Sequence, residues 1–192
     1  MDIIQNPYLG IGLDTPVLRN IPAPSTETAQ VQELLARCPN SAVTPMISLK
    51  KMADEQGLGE ISIKDERERM GLGSFKALGA AYVIAYSAII EGKSQIGKTY
   101  VTSSAGNHGM SVAAGAKAFG ANSVVYIAKT VPEIFAKRLQ AEGAKVVRAG
   151  QIYEESMTAA QQAAKENNWS LLSDTSWPGY FKPSFRLMEG YT

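Results

Sequence analysis

Residues 99–128 read TYVTSSAGNHGMSVAAGAKAFGANSVVYIA. TYVTSS, rich in β-branched and aromatic residues, predicts a strand. It ends at AGNHG, where two glycines permit a sharp turn. HGMSVAAGAKAF is built of small residues and predicts a helix closed by Gly120. SVVYIA predicts a second strand. Strand, helix and strand in immediate succession form a βαβ unit. Short apolar strands of this kind fit a parallel sheet covered on both faces.

The same rhythm extends in both directions. VPEIFAKRLQAEG (131–143) predicts a helix with Pro132 in its first turn and Gly143 past its end. AKVVRAG (144–150) predicts a strand, IYEESMTAAQQAAKENN (152–168) a helix and WSLLS (169–173) a last strand. Upstream, FKALGAAYVIAYSAII (75–90) predicts a helix and ISIKDE (61–66) a strand. The expectation is an α/β fold with a parallel sheet flanked by helices. Such sheets bind ligands at the carboxyl ends of their strands, where loops lead into helices. Two loops fall there, one before Phe75 and one at 105–109.

Residues 1–45 are irregular at first, punctuated by Pro7, Pro16, Pro22 and Pro24. STETAQVQELLARC (25–38) predicts a short helix that Ser25 or Thr26 can cap, with Val31, Leu34 and Leu35 on one face. CPNSAVTPMISL (38–49) leads through Pro45 into a second helical stretch near 48–56, ended by Gly57 and Gly59. The tail, DTSWPGYFKPSFRLMEGYT (174–192), stops in what reads as the opening of another helix, so the chain looks cut rather than finished.

Composition narrows the functions. The chain has 192 residues, 45% hydrophobic and 19% charged, an ordinary globular balance. A net charge of +1 without a basic stripe argues against a nucleic-acid binder. One cysteine, Cys38, and one histidine make a disulfide framework and a Cys/His metal site implausible. MDIIQNPYLG lacks the basic and apolar regions of a signal peptide. The longest apolar run, 77–90, is too short to span a bilayer. A cytoplasmic protein with no membrane or metal partner is the expectation.

In GLGSFKALGAAYVIAYSAII (71–90) the one charge is Lys76. A lysine at a helix start ordinarily lays its stem on apolar surface and keeps its head in water. Here the macrodipole disfavours a cation, and the neighbours Gly73, Ser74, Phe75, Ala77 and Leu78 offer no counter-ion. Both effects, with burial, favour the neutral amine. A neutral amine in a cleft attacks aldehydes and can hold a cofactor as a Schiff base. The loop is not a phosphate loop. Lys76 stands where G-x-G-x-x-G needs its third glycine, and G-x-x-x-x-G-K-[ST] does not fit. In SSAGNHG (103–109), Asn107 offers a donor and an acceptor, and His108 can donate, accept or serve only structure.

Taken in order, GSFKALGA and SSAGNHG resemble the fold-type II (tryptophan synthase β-like) family of pyridoxal-phosphate enzymes, over residues 44–192. Within it, IKDERERMGLGSFKALGAAY (63–82), SDTSWPGY (173–180) and MEGYT (188–192) resemble the diaminopropionate ammonia-lyases. The resemblance implies pyridoxal 5'-phosphate as cofactor. Lys76 would bind its aldehyde and later act as base at the substrate α-carbon. Asn107 would bond the ring hydroxyl, with Phe75, Gly106, His108 and Gly109 beside the ring. The reaction would be α,β-elimination of a small amino acid, 2,3-diaminopropionate, to pyruvate and ammonia. Asp174 would polarise or orient substrate, or else simply cap the strand end before Thr175. The full-length form would be a homodimer.

Two departures qualify the resemblance. Ala105 stands where the ammonia-lyases carry an aspartate thought to serve the D-substrate, and alanine moves no proton. That feature favours a threonine/serine dehydratase-like lyase instead. Family members are also longer, and their further part carries the phosphate-binding loop. Residues 1–59 would then belong to an incomplete large domain and 60–192 to the cofactor-binding portion, including the small domain. A truncated, non-catalytic remnant is the third reading.

Overall fold

The computed structural model describes residues 5–7, 10, 25 and 27–191. The expectations placed on Pro16, Pro22, Pro24, Thr26 and Thr192 lie outside the described residues. In chain order the elements begin with α1 (Ala29–Ala36), β1 (Met46–Ser48), α2 (Lys50–Gln56), β2 (Ser62–Lys64) and a 3-10 turn (Arg69–Gly71). The αβ succession follows: α3 (Ala77–Ile89), β3 (Thr99–Ser103), α4 (Asn107–Ala118), β4 (Asn122–Ile127), α5 (Glu133–Ala141), β5 (Lys145–Arg148), α6 (Tyr153–Asn167), β6 (Ser170–Leu171) and α7 (Lys182–Glu189).

β3 to β6 form one parallel sheet in the order β5-β4-β3-β6. Alternate residues face opposite ways, as the two-residue period of a strand requires. Val101 and Val124 pack with Ala160 and Ala164 of α6. Val125 and Ile127 face the other way, onto Met110 and Ala113 of α4 and onto Leu139 of α5. The sheet is therefore covered on both sides, and α3 lies outside α4. Ser111 of α4 ties these two helices together: its hydroxyl donates to Ala77 O and accepts the Ala81 N–H. Each large side chain sealed here, Ile84 and Leu139 among them, contributes about 1.5–3 kcal/mol.

The strand order places the site. β3, β4 and β5 run outward in one direction, and β6 then returns to the other side of β3. The carboxyl ends of β3 and β6 flank the point where the order reverses, where open α/β sheets leave a crevice for ligands.

Three expectations need correction. Residues 46–48 are a strand, β1, paired antiparallel with β2 through Ile47↔Ile63; helix begins only at Lys50. The Leu49 N–H continues that pairing to Ile61 O, and three residues are too few to show a period in sequence. The N-cap of α1 is Thr28, and Ser25 bonds the Glu27 N–H instead. The helix opening expected in the tail is a complete eight-residue helix, α7, with Pro183 in its first turn. No helix among the described residues is long and apolar enough to cross a membrane.

Candidate active site

The segment before Lys76 is anchored and then turned sharply. Arg69 binds Glu66 with two parallel bonds, Nε to Oε2 at 2.6 Å and Nη2 to Oε1 at 2.7 Å. It also donates to Thr44 Oγ1 and Ala42 O, which ties residues 42–44 to the turn. Met70 follows at φ 51°, in the left-handed region, a conformation that costs a non-glycine residue of order 1 kcal/mol. The chain thereby reverses into Ser74, whose hydroxyl accepts the Lys76 N–H, and Lys76 caps α3.

Lys76 does have a counter-ion, contrary to the expectation from its sequence neighbours. Asp174 Oδ2 lies 2.7 Å from its Nζ, from a position 98 residues along the chain. The lysine side chain is 39% exposed and the aspartate 22%, so the pair is partly open to solvent. Burial works against an ionised Asp174, but attraction to the His108 ring and the Lys76 ammonium outweighs it and holds the carboxyl below its usual range. Burial lowers His108, so its ring is neutral at neutral pH and the pull on Asp174 there comes from the Lys76 contact. The strand-end turn is made by Ser173, whose hydroxyl accepts the Thr175 N–H. The Asp174 carboxylate itself reaches across to the lysine.

The second loop delivers the start of α4 beside this pair. Gly106 is extended (φ −110°, ψ −151°) and Asn107 opens the helix. The first N–H groups of a helix have no partner within it and favour negative charge. Gly109 has no room for a side chain: a Cβ there would lie 2.3 Å from Ser104 O. Asn107 is half-buried and Gly106 exposed, so both remain within reach of a ligand. His108 is sealed, its Nε2 bonded to Leu172 O at 2.9 Å and its Nδ1 buried without a hydrogen-bond partner. Its ring therefore links α4 to β6. Phe75 is 47% exposed, and its ring meets Tyr191 edge-on at 5.1 Å.

The structure thus gathers Lys76, Asp174 and His108 and sets Phe75 and the head of α4 around them. Two groups near Asp174 had no assigned role in the sequence. Tyr180 bonds the backbone on both sides of Leu172 and is pushed up to about 12 by burial. Tyr191 fills the space left by Gly79, and burial and Asp174 raise its hydroxyl further. Their signals were the turn in SWPGY and a glycine within a helix, a residue that costs about 1 kcal/mol there unless packing requires it.

Residues 39–190 match the family described as pyridoxal-phosphate dependent enzyme. That span covers most of the chain, and the chain belongs to this family. Among curated relatives, the diaminopropionate ammonia-lyase of Salmonella typhimurium is 34% identical over 173 residues, 81% of this chain and 43% of its own length. The catabolic L-threonine dehydratase of Staphylococcus aureus is 29% identical over 67% of this chain and 36% of its own. The apo crystal structure of the Escherichia coli diaminopropionate ammonia-lyase superposes with a TM-score of 0.79 at 27% identity, covering 88% of this chain and 52% of that one. The same enzyme with an aminoacrylate–PLP azomethine intermediate superposes at 0.78, with 30% identity, covering 88% and 47%. The chain spans between about a third and a half of the length of these relatives.

The family cofactor is pyridoxal phosphate, and the residues present suit it. The half-exposed amine of Lys76 can bond an aldehyde. The head of α4 stands beside it, with His108 near both Lys76 and Asp174 and Gly109 packed close on Ser104 O.

Proposed function

We propose that this chain carries the lysine and ring-facing loop of a lyase that removes the β-amino group of L-2,3-diaminopropionate. Residues 60–192 would be the cofactor-binding portion and 1–59 a segment of a larger domain. The observation that carries the reading is the Lys76–Asp174 pair at the sheet's switch point, 2.7 Å apart and partly exposed. Lys76 would hold the cofactor, with Asn107, Phe75 and the backbone of Gly106 and Gly109 against it.

Bound there, pyridoxal phosphate supplies an aldehyde and an electron sink that makes an amino acid's α-hydrogen acidic. The Lys76 amine would be the base that takes this proton. Asp174 holds the resulting ammonium in place, from which the proton passes to the departing β-nitrogen. With one water, diaminopropionate yields pyruvate and two ammonia molecules, so the atoms balance. Ala105 provides no second base beside α4. With Lys76 alone, one face of the α-carbon would be served, and the absence of the aspartate that the resemblance ties to the D-substrate favours the L-isomer. The same alanine supports a second reading, a serine/threonine dehydratase-like lyase.

The test is trapping. With pyridoxal phosphate added and borohydride used to reduce the adduct, peptide mapping is expected to find the label on Lys76, and Lys76→Ala to lose it completely. Label on another lysine, or none, would remove the reading. Pyruvate release from L-diaminopropionate exceeding that from L-serine separates the two lyases. Equal turnover of D-diaminopropionate would contradict the role given to Ala105.

A further inference from the structure

β6 pairs with β3 on one edge only, and its free edge meets no other strand among the described residues. In a strand, residues i and i+2 point their N–H and C=O to the same edge. Leu172 points toward β3: its N–H donates to Val101 O, and its carbonyl accepts from His108 Nε2. Leu171 and Ser173 point to the free edge. There one phenol serves both. The Tyr180 hydroxyl donates to Leu171 O at 3.0 Å and accepts the Ser173 N–H at 2.9 Å. These are the two bonds a neighbouring strand would have made.

The effect is to keep the chain extended past the end of the ladder. Asp174 comes immediately after. Tyr180 is itself fixed. Its ring stacks on Trp177 at 4.2 Å and 10°, and the two residues exchange backbone bonds across Pro178 and Gly179. From the other side, the Ser184 hydroxyl of α7 donates to Thr175 O at 3.0 Å. The backbone around Asp174 is thus held by side chains from three places: α4, the turn and α7. None of these side chains bonds the Asp174 carboxylate, which is left to Lys76.

We propose that Tyr180 is a positioning residue: its hydroxyl replaces a missing strand at β6 and thereby sets Asp174 against Lys76. The proposal rests on the reading of Lys76 as the reactive lysine but has a readout that needs no cofactor. Asp174 is faced by Lys76 from α3, His108 from α4, Tyr153 from α6, and Tyr180 and Tyr191 on either side of α7. Burial keeps both His108 and the tyrosines uncharged near neutral pH, so the amine is the group whose reactivity follows the aspartate.

Trace labelling with acetic anhydride at fixed mildly alkaline pH, read by peptide mass spectrometry and normalised to the other lysines, reports that reactivity. Asp174→Asn frees the amine and is expected to raise Lys76 labelling about threefold, the scale of a partly exposed ion pair. Tyr180→Phe keeps the ring on Trp177 and removes only the hydroxyl. It is expected to raise labelling in the same direction and to add nothing in the Asp174→Asn background, because Tyr180 acts through Asp174. A merely structural role would change labelling equally in both backgrounds, and that result, or no change in the parent, would overturn the proposal. If Tyr180→Phe does not fold, Ser184→Ala loosens the same backbone from α7 and carries the same expectation. Failure of the functional reading shows separately, as absence of pyridoxal-phosphate trapping at Lys76 in the parent chain.

Discussion

Arg69 and Lys76 lie seven residues apart, and their ion pairs behave as opposites. Arg69–Glu66 is bidentate, with side chains 12% and 17% exposed, and Arg69 also bonds two groups of another segment. Lys76–Asp174 is a single contact between a half-exposed ammonium and a carboxylate drawn from a distant strand end. Arginine's planar fork fits a carboxylate by two bonds and stays charged; lysine is a point charge on a flexible stem and can give up its proton. The first pair is suited to hold a strained turn. The second is suited to be released. On the proposed reading the amine would bond an aldehyde and could not be locked, but it can be anchored by the turn before it and oriented by the aspartate across from it.

The largest consequence is in stability. Arg69→Ala takes both guanidinium bonds from Glu66, which keeps only the Thr44 hydroxyl as a donor, and removes the ties to Thr44 Oγ1 and Ala42 O, so it is expected to cost about 1.5–3 kcal/mol. Asp174→Asn removes a partly exposed pair and is expected to cost at most about 1 kcal/mol. Urea unfolding with unchanged slope measures both. Equal losses would erase the distinction between a clamp and a releasable pair.

That distinction was half legible in sequence. The βαβ rhythm follows from local periodicity and from Gly and Pro punctuation, so β3 to β6 and α3 to α6 fall within a few residues of expectation. Glu66 and Arg69 are three apart, within the reach of neighbour reasoning, yet the run they sit in served only as a mark of resemblance. Asp174 is different. Its pairing with Lys76 depends on β6 crossing back beside β3, a topological fact that no window around Lys76 contains. The same limit hid Tyr180, whose hydroxyl works on backbone that in sequence belongs to an ordinary strand. β1 escaped for a local reason. Three residues exposed on both faces carry no alternation, and Pro45 before them suggests a helix entry equally well.

Acid separates the pairs further. Bonding to Arg69 lowers the Glu66 carboxyl from its usual 4.5 to about 2, against an opposing effect of burial. A depressed folded value contributes stability that is complete above about pH 4.5 and fades as pH falls toward about 2. The contribution is on the order of 1–2 kcal/mol after allowance for solvent. Arg69→Ala is therefore expected to flatten the acid limb of the stability profile between those values. Asp65, held at about 2 by Arg67, keeps its own share in both proteins, so the limb does not vanish. An unchanged limb in Arg69→Ala would show that Glu66 is not held by its arginine.

Salt gives the smallest effect and the finest discrimination. The screening length falls from about 10 Å at 0.1 M to about 3 Å at 1 M, so added salt weakens an exposed contact pair without abolishing it. Between low salt and about 0.5 M NaCl, Lys76 acetylation is expected to rise less than about twofold in the parent. It should not change in Asp174→Asn, where no pair remains to be screened. Salt also strengthens apolar burial throughout the chain, so raw stabilities are uninformative and only differences between parent and variant count. For the arginine clamp that difference is expected to hold constant, because a desolvated bidentate pair is poorly reached by ions. If the Arg69→Ala difference shrank with salt as much as the Lys76 labelling rose, both pairs would be solvent-facing. The anchoring of the Lys76 turn would then have to come from elsewhere, with Met70 and the glycines beside it the next residues to test.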